Sequence, residues 1–363
     1  MGRHHLIHLV SSSSWGSSQK YACDICRHFL EKGWEVTAVT RDARVVDERF
    51  RRAGIPLRHA PLRGLFDPAS ALKLTRLFRK IPPRDGVIHV HRYRDAFTAL
   101  LAKKLAKRPD ITVICTQHRV QPARNSRLLR LIYSKIDAHI FVSKAAHSEF
   151  FSTWKDSGDS PIPEKRVHFI SNSLNDDFPE PPAPPSRGPI IALCHGAVVG
   201  GKGLETAIDA LQYLEGRKIR LRVAGPGNPD YLDTLRRRAM RLGVMEMIDW
   251  KITPDIDNSL IYDSHFALHP SIESEGFGMP NLRTMACGRP QICTTGGAQK
   301  EYLADGRTAL FIPAADPKAT AEAMIRLADD PDLRDRIGRQ AYGEYTRLLS
   351  WPVFIDRIEH LYD

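Results

Sequence analysis

Residues 271–290 read S-I-E-S-E-G-F-G-M-P-N-L-R-T-M-A-C-G-R-P. The preceding run, residues 264–270, has the apolar character of a buried strand end. Two glycines then flank Phe277, Pro280 stands near the start of a short apolar helical pattern, and Gly288 closes it. Proline at a helix start and glycine past its end are the expected asymmetry. Glu275 therefore sits on a glycine-rich loop that opens a helix. Glycine lets backbone N–H groups approach a ligand closely, and a helix N-terminus favours bound anions. The stretch predicts a ligand site at the carboxyl end of a parallel sheet.

Around it, 363 residues at 42% hydrophobic content are enough for two domains of ordinary size. No apolar run approaches the roughly 20 residues that span a bilayer, and the N-terminus lacks the charged, apolar and small-residue succession of a signal peptide. A cytoplasmic protein is the expectation. The six cysteines are dispersed, most of them within apolar runs. Cys23 and Cys26 form a C-x-x-C inside a helical pattern rather than at its start, which favours buried thiols over a redox pair. The net charge of +11 is uneven: residues 1–180 carry 31 Lys and Arg against 18 Asp and Glu, the remainder 22 against 24. The basic half suits nucleic acid, an anionic membrane or a phosphate-bearing substrate, and equally a solvated basic face.

Read in order, residues 6–14 begin as a strand and end in four serines before Trp15 and Gly16. Residues 19–31 have helical periodicity and stop at Gly33; residues 35–40 alternate as a strand. This strand, loop, helix, strand unit begins a doubly wound α/β domain. Helices are predicted over 71–80 and 96–106, and strands over 87–91, 111–116, 138–143 and 167–170. Residues 179–189 (P-E-P-P-A-P-P-S-R-G-P) hold five prolines in their first seven positions and read as a semi-rigid extended linker. Beyond it the alternation restarts, with strands predicted at 190–194, 219–224, 248–252, 266–269 and 291–294. Helices are predicted at 203–214, 231–242, 317–328, 331–348 and 350–362. The expected division is 1–178, linker 179–189, 190–348, and a terminal helix 349–363 packing back on the first domain. Neither half carries a G-x-G-x-x-G after its first strand, which argues against a dinucleotide dehydrogenase.

Gly196 to Gly203 read G-A-V-V-G-G-K-G, the opening of a phosphate-binding loop, but Gly203 stands where the Mg²⁺-holding hydroxyl belongs. A P-loop NTPase is therefore not expected. Lys202, among glycines at a helix N-terminus, is still placed to neutralise a phosphate. His118 follows a predicted strand in T-Q-H-R, at a sheet's carboxyl edge. His89 and His91 share one strand face, with His4, His5 and His8 elsewhere, but no metal-ligand spacing emerges and no metal is expected. No G-x-S-x-G elbow anchors a serine hydrolase.

These residues carry a resemblance. The chain resembles a family-4 retaining glycosyltransferase of GT-B fold over nearly its whole length. The motifs that carry it are P-S-x-x-x-E-G-F-G from Pro270 to Gly278 and M-A-C-G-R-P from Met285 to Pro290. Trp15-Gly16, F-V-S ending at Ser143, I-S-N-S ending at Ser173, Lys202-Gly203, V-A-G-P-G around Gly225, T-G-G with Glu301, and the terminal S-W helix support it. The resemblance implies two Rossmann-like, doubly wound domains facing a central cleft, the first for the acceptor and the second for a nucleotide-diphosphate sugar. It implies that Glu275 and the backbone of Gly276, Phe277 and Gly278 hold the donor sugar. Lys202 would contact the diphosphate, His118 would lie beside the transferred sugar, and the Gly16 loop would approach the phosphates and acceptor. Gly225 and Arg283 complete the expected donor-binding set. A lysine and preorganised N–H dipoles can stabilise the leaving diphosphate without a metal, and no further cofactor is expected.

Two departures stand out. The family's second glutamate, eight positions after Glu275, is replaced by Arg283, which has donors only and opposite charge. The family's arginine five residues before the lysine is replaced by Ala197. One reading relocates the missing positive charge to Arg283; the competing one is a catalytically impaired GT-B subunit that binds glycan or a partner enzyme. A GT-B sugar-nucleotide epimerase is weaker, since no acid and base carboxylates are found for it. The basic clusters at 72–80, 103–108 and 119–130 suit a glycan or lipid-linked anionic acceptor and a peripheral contact with the inner face of the cell membrane. No nucleic-acid module accompanies the charge, so nucleic acid is not expected as a partner. A role in surface polysaccharide or lipopolysaccharide-type assembly follows from resemblance and charge.

Overall fold

The computed structural model describes residues 4–214 and 216–363. It divides into two compact units, one taking in the chain up to Asn172 together with Phe354–Asp363, the other Ser173–Val353.

In the first unit β1 (His5–Val10), α1 (Ser17–Glu31), β2 (Glu35–Thr40), α2 (Arg44–Arg52), β3 (Leu57–His59), α3 (Pro68–Phe78) and β4 (Gly86–Val90) come first. Then follow α4 (Tyr93–Ala106), β5 (Thr112–Gln117), α5 (Arg127–Lys135), β6 (Ala138–Phe141), α6 (Lys144–Phe151) and β7 (Val167–Phe169). The strands form one sheet of order β3-β2-β1-β4-β5-β6-β7, every pairing parallel. Strand order reverses between β1 and β4, the point at which open α/β sheets leave a crevice for ligands. Period-two alternation divides the strands cleanly. Ile7, Leu9, Ile88, Val90, Val113 and Cys115 pack with Leu74, Phe78 and Ala99 of α3 and α4. The residues between them, His8 on β1 and His89 on β4, face the other way.

The second unit holds β8 (Ile190–His195), α7 (Leu204–Ala210), β9 (Ile219–Gly225), α8 (Pro229–Arg241), β10 (Ile248–Ile252), α9 (Asn258–Tyr262) and β11 (Phe266–His269). It continues with α10 (Met279–Ala286), β12 (Gln291–Cys293), α11 (Gln299–Tyr302), β13 (Leu310–Phe311), α12 (Pro317–Asp329) and α13 (Pro331–Glu344). Its parallel sheet runs β10-β9-β8-β11-β12-β13, with the reversal between β8 and β11. Asp-Pro starts both α12 and α13: the Asp316 and Asp330 carboxylates accept from the N–H groups of Ala319 and Leu333 at 3.0 and 2.9 Å, and Pro fills N1, where no N–H is needed.

The α/β class and both parallel sheets agree with the sequence reading. It missed α2, whose R-V-V-D-E-R-F-R-R is mostly charge, along with α5, α6, α9 and α11. The strands it missed, β3 and β13, have three and two residues, too few to show alternation. Two helices end sooner than their periodicity suggests. α7 gives way to a 3₁₀ turn at Leu211–Tyr213, and α13 to a π turn at Tyr345–Leu349. The last helix, α14 (Trp351–Tyr362), carries the chain into the first unit from Phe354 onward. Among the described residues no helix is long and apolar enough to cross a membrane. All six cysteines are buried and free; burial pushes the Cys23 thiol up to about 12 and Cys26 well above its ordinary range. The proline-rich segment is tied to its own unit, with Arg289 donating to Pro182 O at 2.9 Å and His265 Nε2 lying 3.0 Å from Pro185 O.

Candidate functional site

Three loops leave the carboxyl ends of β8, β9 and β11, and glycines set how closely they pack. Gly225 ends β9 at φ +139°, where a Cβ would stand 1.9 Å from Gly196 O. Val198 N then donates to Pro226 O at 2.7 Å, pairing the β8 loop with the β9 loop. Gly201 O accepts from the N–H groups of Ile272 and Glu273 at 2.9 and 3.2 Å. Gly203, at φ +70°, brings its Cα so near β11 that a Cβ would lie 1.8 Å from Pro270 O. No L side chain fits there. Lys202 is thus held between two glycines that clamp its loop onto the segment carrying Glu275.

The Lys202 ammonium donates to Glu275 Oε1, and Ser271 Oγ donates to the same oxygen at 2.9 Å. Oε2 has no hydrogen bond among the described residues. The Lys202 side chain is 33% exposed and that of Glu275 16%, so the pair is reachable by a ligand yet partly shielded from water. Glu275 is buttressed from behind by the T-G-G segment. Glu275 N donates to Gly296 O at 3.1 Å and Ala298 N to Glu275 O at 3.2 Å. A Cβ on Gly297 would sit 2.3 Å from Glu275 O. A pocket opens beside the pair, lined by His195, Gly196, Ala197, Lys202, His269, Ser271, Glu275, Pro280 and Asn281.

Its floor is neutral. His195 ends β8 and His269 ends β11, the two strands at the sheet's reversal. Their Nε2 atoms lie 2.8 and 3.1 Å from Thr284 Oγ1, whose hydroxyl also reaches Pro280 O at 3.1 Å. One hydroxyl has a single proton, so a Thr284 that donates to Pro280 accepts from both imidazoles. Burial holds His269 down at about 3 and His195 well below its ordinary value, keeping both uncharged.

The E-G-F-G turn is fixed by side chains behind it. Phe277 is buried and stacks on Tyr302 at 4.9 Å, while the Tyr302 hydroxyl donates to Phe277 O at 2.5 Å. Gly278 caps α10 at φ +85° with no side-chain cap, leaving the first-turn N–H groups of that helix to other partners. Arg283 is not among the residues lining the pocket. Its guanidinium donates to Asp176 Oδ2 at 2.7 Å and Asn258 Oδ1 at 2.5 Å. The Asp176 carboxylate compensates its charge. Of the expected donor-binding set, Lys202 and Glu275 line the pocket itself. Gly276, Phe277 and Gly278 form the turn that opens α10, and Gly225 shapes the adjoining loop.

In the first unit, Gly16 is the N-cap of α1, extended and without a side-chain cap. Ser11 Oγ, on the same loop, donates to the buried Asp95 at 2.5 Å; burial pushes the Asp95 carboxyl up to about 6. His118 lies one residue past β5, half-buried, with its Nε2 3.1 Å from His91 Nδ1. His4 and His5, by contrast, pair with Asp85 and Glu35 at 3.2 and 3.5 Å. The sequence reading missed Ser271, Thr284, Tyr302 and Asp176. Ser271 lies inside the quoted motif, where a hydroxyl four residues before a loop glutamate is the available signal. Nothing local marks the others.

The sequence matches the family described as Glycosyl transferases group 1 over residues 178–344, and Glycosyltransferase Family 4 over residues 18–178. It is 30% identical over 170 residues to a D-inositol 3-phosphate glycosyltransferase of Corynebacterium glutamicum, covering 45% of this chain and 40% of that protein. It is 27% identical over 246 residues to a GDP-mannose-dependent alpha-(1-6)-phosphatidylinositol monomannoside mannosyltransferase of Mycolicibacterium smegmatis, covering 61% and 60%. The matched regions thus span less than two thirds of the length of these relatives. The crystal structure of Anabaena HepE in complex with UDP and glucose superposes with a TM-score of 0.81 at 15% identity, covering 99% of both chains. A glycosyltransferase from Rickettsia africae superposes with a TM-score of 0.83 at 18% identity, covering 100% and 98%. These superpositions establish the fold.

Proposed function

Because the chain belongs to the family-4 glycosyltransferases of GT-B fold, we propose that it moves a sugar from a nucleotide-diphosphate donor to a glycan or lipid-linked acceptor, with retention and without a metal. The observation that carries this reading is the Lys202–Glu275 pair, presented to a pocket at the reversal point of the second sheet.

The chemistry follows from what each group can do. When the bond from the anomeric carbon to the diphosphate oxygen breaks, negative charge grows on the leaving phosphate. Lys202 and the uncapped N-terminus of α10 offer positive charge and N–H dipoles that are already in place, so little reorganisation is needed as that charge develops. Glu275 accepts hydrogen bonds from sugar hydroxyls. Its contact with Lys202 compensates both charges within the partly shielded site. The acceptor hydroxyl attacks on the face the diphosphate leaves, and a phosphate oxygen takes its proton, so no protein nucleophile is required.

The first unit supports an anionic acceptor held near a membrane. Arg58, Lys73, Arg76 and Lys80 line a groove between β3 and α3, while Phe66 and Leu72 nearby in sequence are 74% and 55% exposed. Positive charge together with exposed apolar side chains suits an anionic lipid surface. Cytoplasmic placement, peripheral on the inner face of the membrane, and a role in surface polysaccharide or lipopolysaccharide assembly belong to the same reading. Flotation with anionic but not neutral vesicles is the expected result; equal recovery from both removes the membrane contact.

Arg283 favours a second reading. With an arginine bound to Asp176 at the position of the family's second carboxylate, a glycan- or partner-binding subunit without turnover is the alternative. A thermal-shift screen against UDP, GDP, ADP, CMP and their sugars separates the two. Stabilisation by one nucleotide class, of RT ln(1 + [L]/Kd), supports the transferase; no shift with any of them supports the impaired subunit.

A further inference from the structure

The candidate donor pocket leaves unexplained a continuous run of rings in the first unit, with His8 and His89 fully buried and His91 and His118 half-buried. His8 on β1 pairs in register with His89 on β4, and His91 follows two residues on, so all three share the sheet face covered by Tyr21 of α1 and Tyr362 of α14. The rings stack along this face, His8 on His89 at 4.8 Å, His89 on His91 at 4.8 Å and His91 beside His118 at 5.3 Å.

Their nitrogens are joined end to end. His118 Nε2 lies 3.1 Å from His91 Nδ1, and His91 Nε2 lies 3.1 Å from His8 Nδ1. His8 Nε2 lies 3.4 Å from the Tyr362 hydroxyl, that hydroxyl 2.5 Å from His89 Nδ1, and His89 Nε2 2.7 Å from Thr116 Oγ1. Among the described residues every ring nitrogen of the four histidines is engaged except His118 Nδ1. Each link uses a different pair of atoms, so the rings pass hydrogen bonds along instead of converging on one centre.

Burial keeps all four imidazoles neutral, His8 and His118 at about 3 and His89 and His91 well below their ordinary value. A neutral imidazole has one N–H and one lone pair. A chain of such rings satisfies every link only if all of its protons point the same way. Two orders exist, and Tyr362 chooses between them. A phenol has one proton, and the 2.5 Å contact to His89 Nδ1 is the close one while the 3.4 Å contact to His8 is long. The proton therefore lies toward His89. Then His8 Nε2–H donates to the phenol oxygen, His91 Nε2–H to His8, and His118 Nε2–H to His91.

We propose that the chain His91, His8, Tyr362, His89 fixes His118 as its Nε2–H tautomer, so that a neutral Nδ1 lone pair is offered to ligand at the carboxyl end of β5. His118 is then an acceptor of hydrogen bonds, suited to a sugar hydroxyl and unsuited to a carboxylate or a carbonyl oxygen at the same position. His91, His8 and Tyr362 are positioning residues, and the terminal helix acts on the sheet edge through one hydroxyl. The ligand half of the inference rests on the transferase reading; the tautomer half does not.

Histidine ¹⁵N spectra of the full chain without ligand test the tautomer directly, because bare and protonated ring nitrogens resonate in separate regions. The expected result is a bare Nδ1 and a protonated Nε2 on His118, with His8, His89 and His91 likewise protonated on Nε2. In Tyr362→Phe, which keeps the ring and removes the hydroxyl, the His118 Nδ1 signal moves toward the average of the two tautomers. Thr116→Ser, which keeps the terminal hydroxyl, returns the wild-type spectrum. A protonated Nδ1 on wild-type His118 overturns the proposal even if Tyr362→Phe fails to fold, and so does a His118 signal that ignores Tyr362→Phe. A bare Nδ1 that no UDP- or GDP-sugar perturbs leaves the relay standing and overturns its ligand role.

Discussion

The two sheets share a topology and differ in what stands where strand order reverses. In the first unit the strands at that point carry His8 and His89, with His91 one residue past β4, joined to His118, Tyr362 and Thr116 in one uncharged network. In the second they carry His195 and His269, also uncharged and bridged by Thr284, but the loops above them bring in the Lys202–Glu275 pair. The difference lies in the loops. Strand positions under helices are too desolvated to hold charge, so both sheets place neutral imidazoles there. In the second unit formal charge enters where glycines let a loop fold back over the strand ends, as Gly201, Gly203 and Gly297 do. One sheet edge presents a neutral imidazole network and the other an ion pair.

Acid breaks this comparison most severely. A histidine held at about 3 in the folded state and near 6.5 when unfolded binds a proton on unfolding, so its contribution is complete above pH 6.5 and is lost as pH falls toward 3. Each such ring costs about 1.4 kcal/mol per pH unit in that window. The first unit has four rings in one network and the second two, so hydrogen exchange at pH 5 should show the first unit opening before the second. Asp95 works in the opposite sense. Its carboxyl, raised to about 6, holds a proton that the unfolded chain has released, so its share grows as pH falls from 6 toward 4. One carboxyl cannot offset four imidazoles. Simultaneous opening of both units would break the comparison.

Lys202→Met comes next. Removing the cation from the second site should lower kcat roughly 10²–10³-fold, the loss typical of deleting one preorganised electrostatic donor, with the melting temperature little changed because the side chain is partly exposed. Single-turnover transfer from the donor named by the thermal-shift screen reads it. A loss below tenfold would remove Lys202 from the chemistry.

Arg283→Ala sharpens the contrast by a smaller step. With its guanidinium held by Asp176 and Asn258, the change should leave nucleoside-diphosphate affinity within about twofold and lower stability by about 1 kcal/mol, discounted for the partial exposure of the pair. Titration calorimetry and denaturant melts check the two parts. A tenfold fall in affinity would place Arg283 in the donor site after all.

Much of the candidate site was legible because it is local. Glu275, Gly276, Phe277 and Gly278 are one tetrapeptide, and Lys202 announces itself between glycines before a helix. The roles of Gly225 and Gly297 were not legible, since each exists to clear a carbonyl on another loop, Gly196 O and Glu275 O. Tyr302 was invisible for the same reason, holding Phe277 from 25 residues away. Asp176, 107 residues from Arg283, turns an apparent spare cation into a compensated one.

Sequence by itself determined two α/β units, a glycine-built turn carrying Glu275, a lysine ahead of a helix, and a histidine just past a strand. Each is set by short-range periodicity, turn chemistry or motif spacing. Tertiary structure alone decided which strands stand side by side. Alternation tells that His89 and His91 share a face, but only the reversal of strand order puts β1 beside β4 and joins His8 to His91, 83 residues apart. Only the return of the terminal helix brings Tyr362 to His89, 273 residues away. Period-two patterning fixes a side chain's face and says nothing of its neighbour across the sheet.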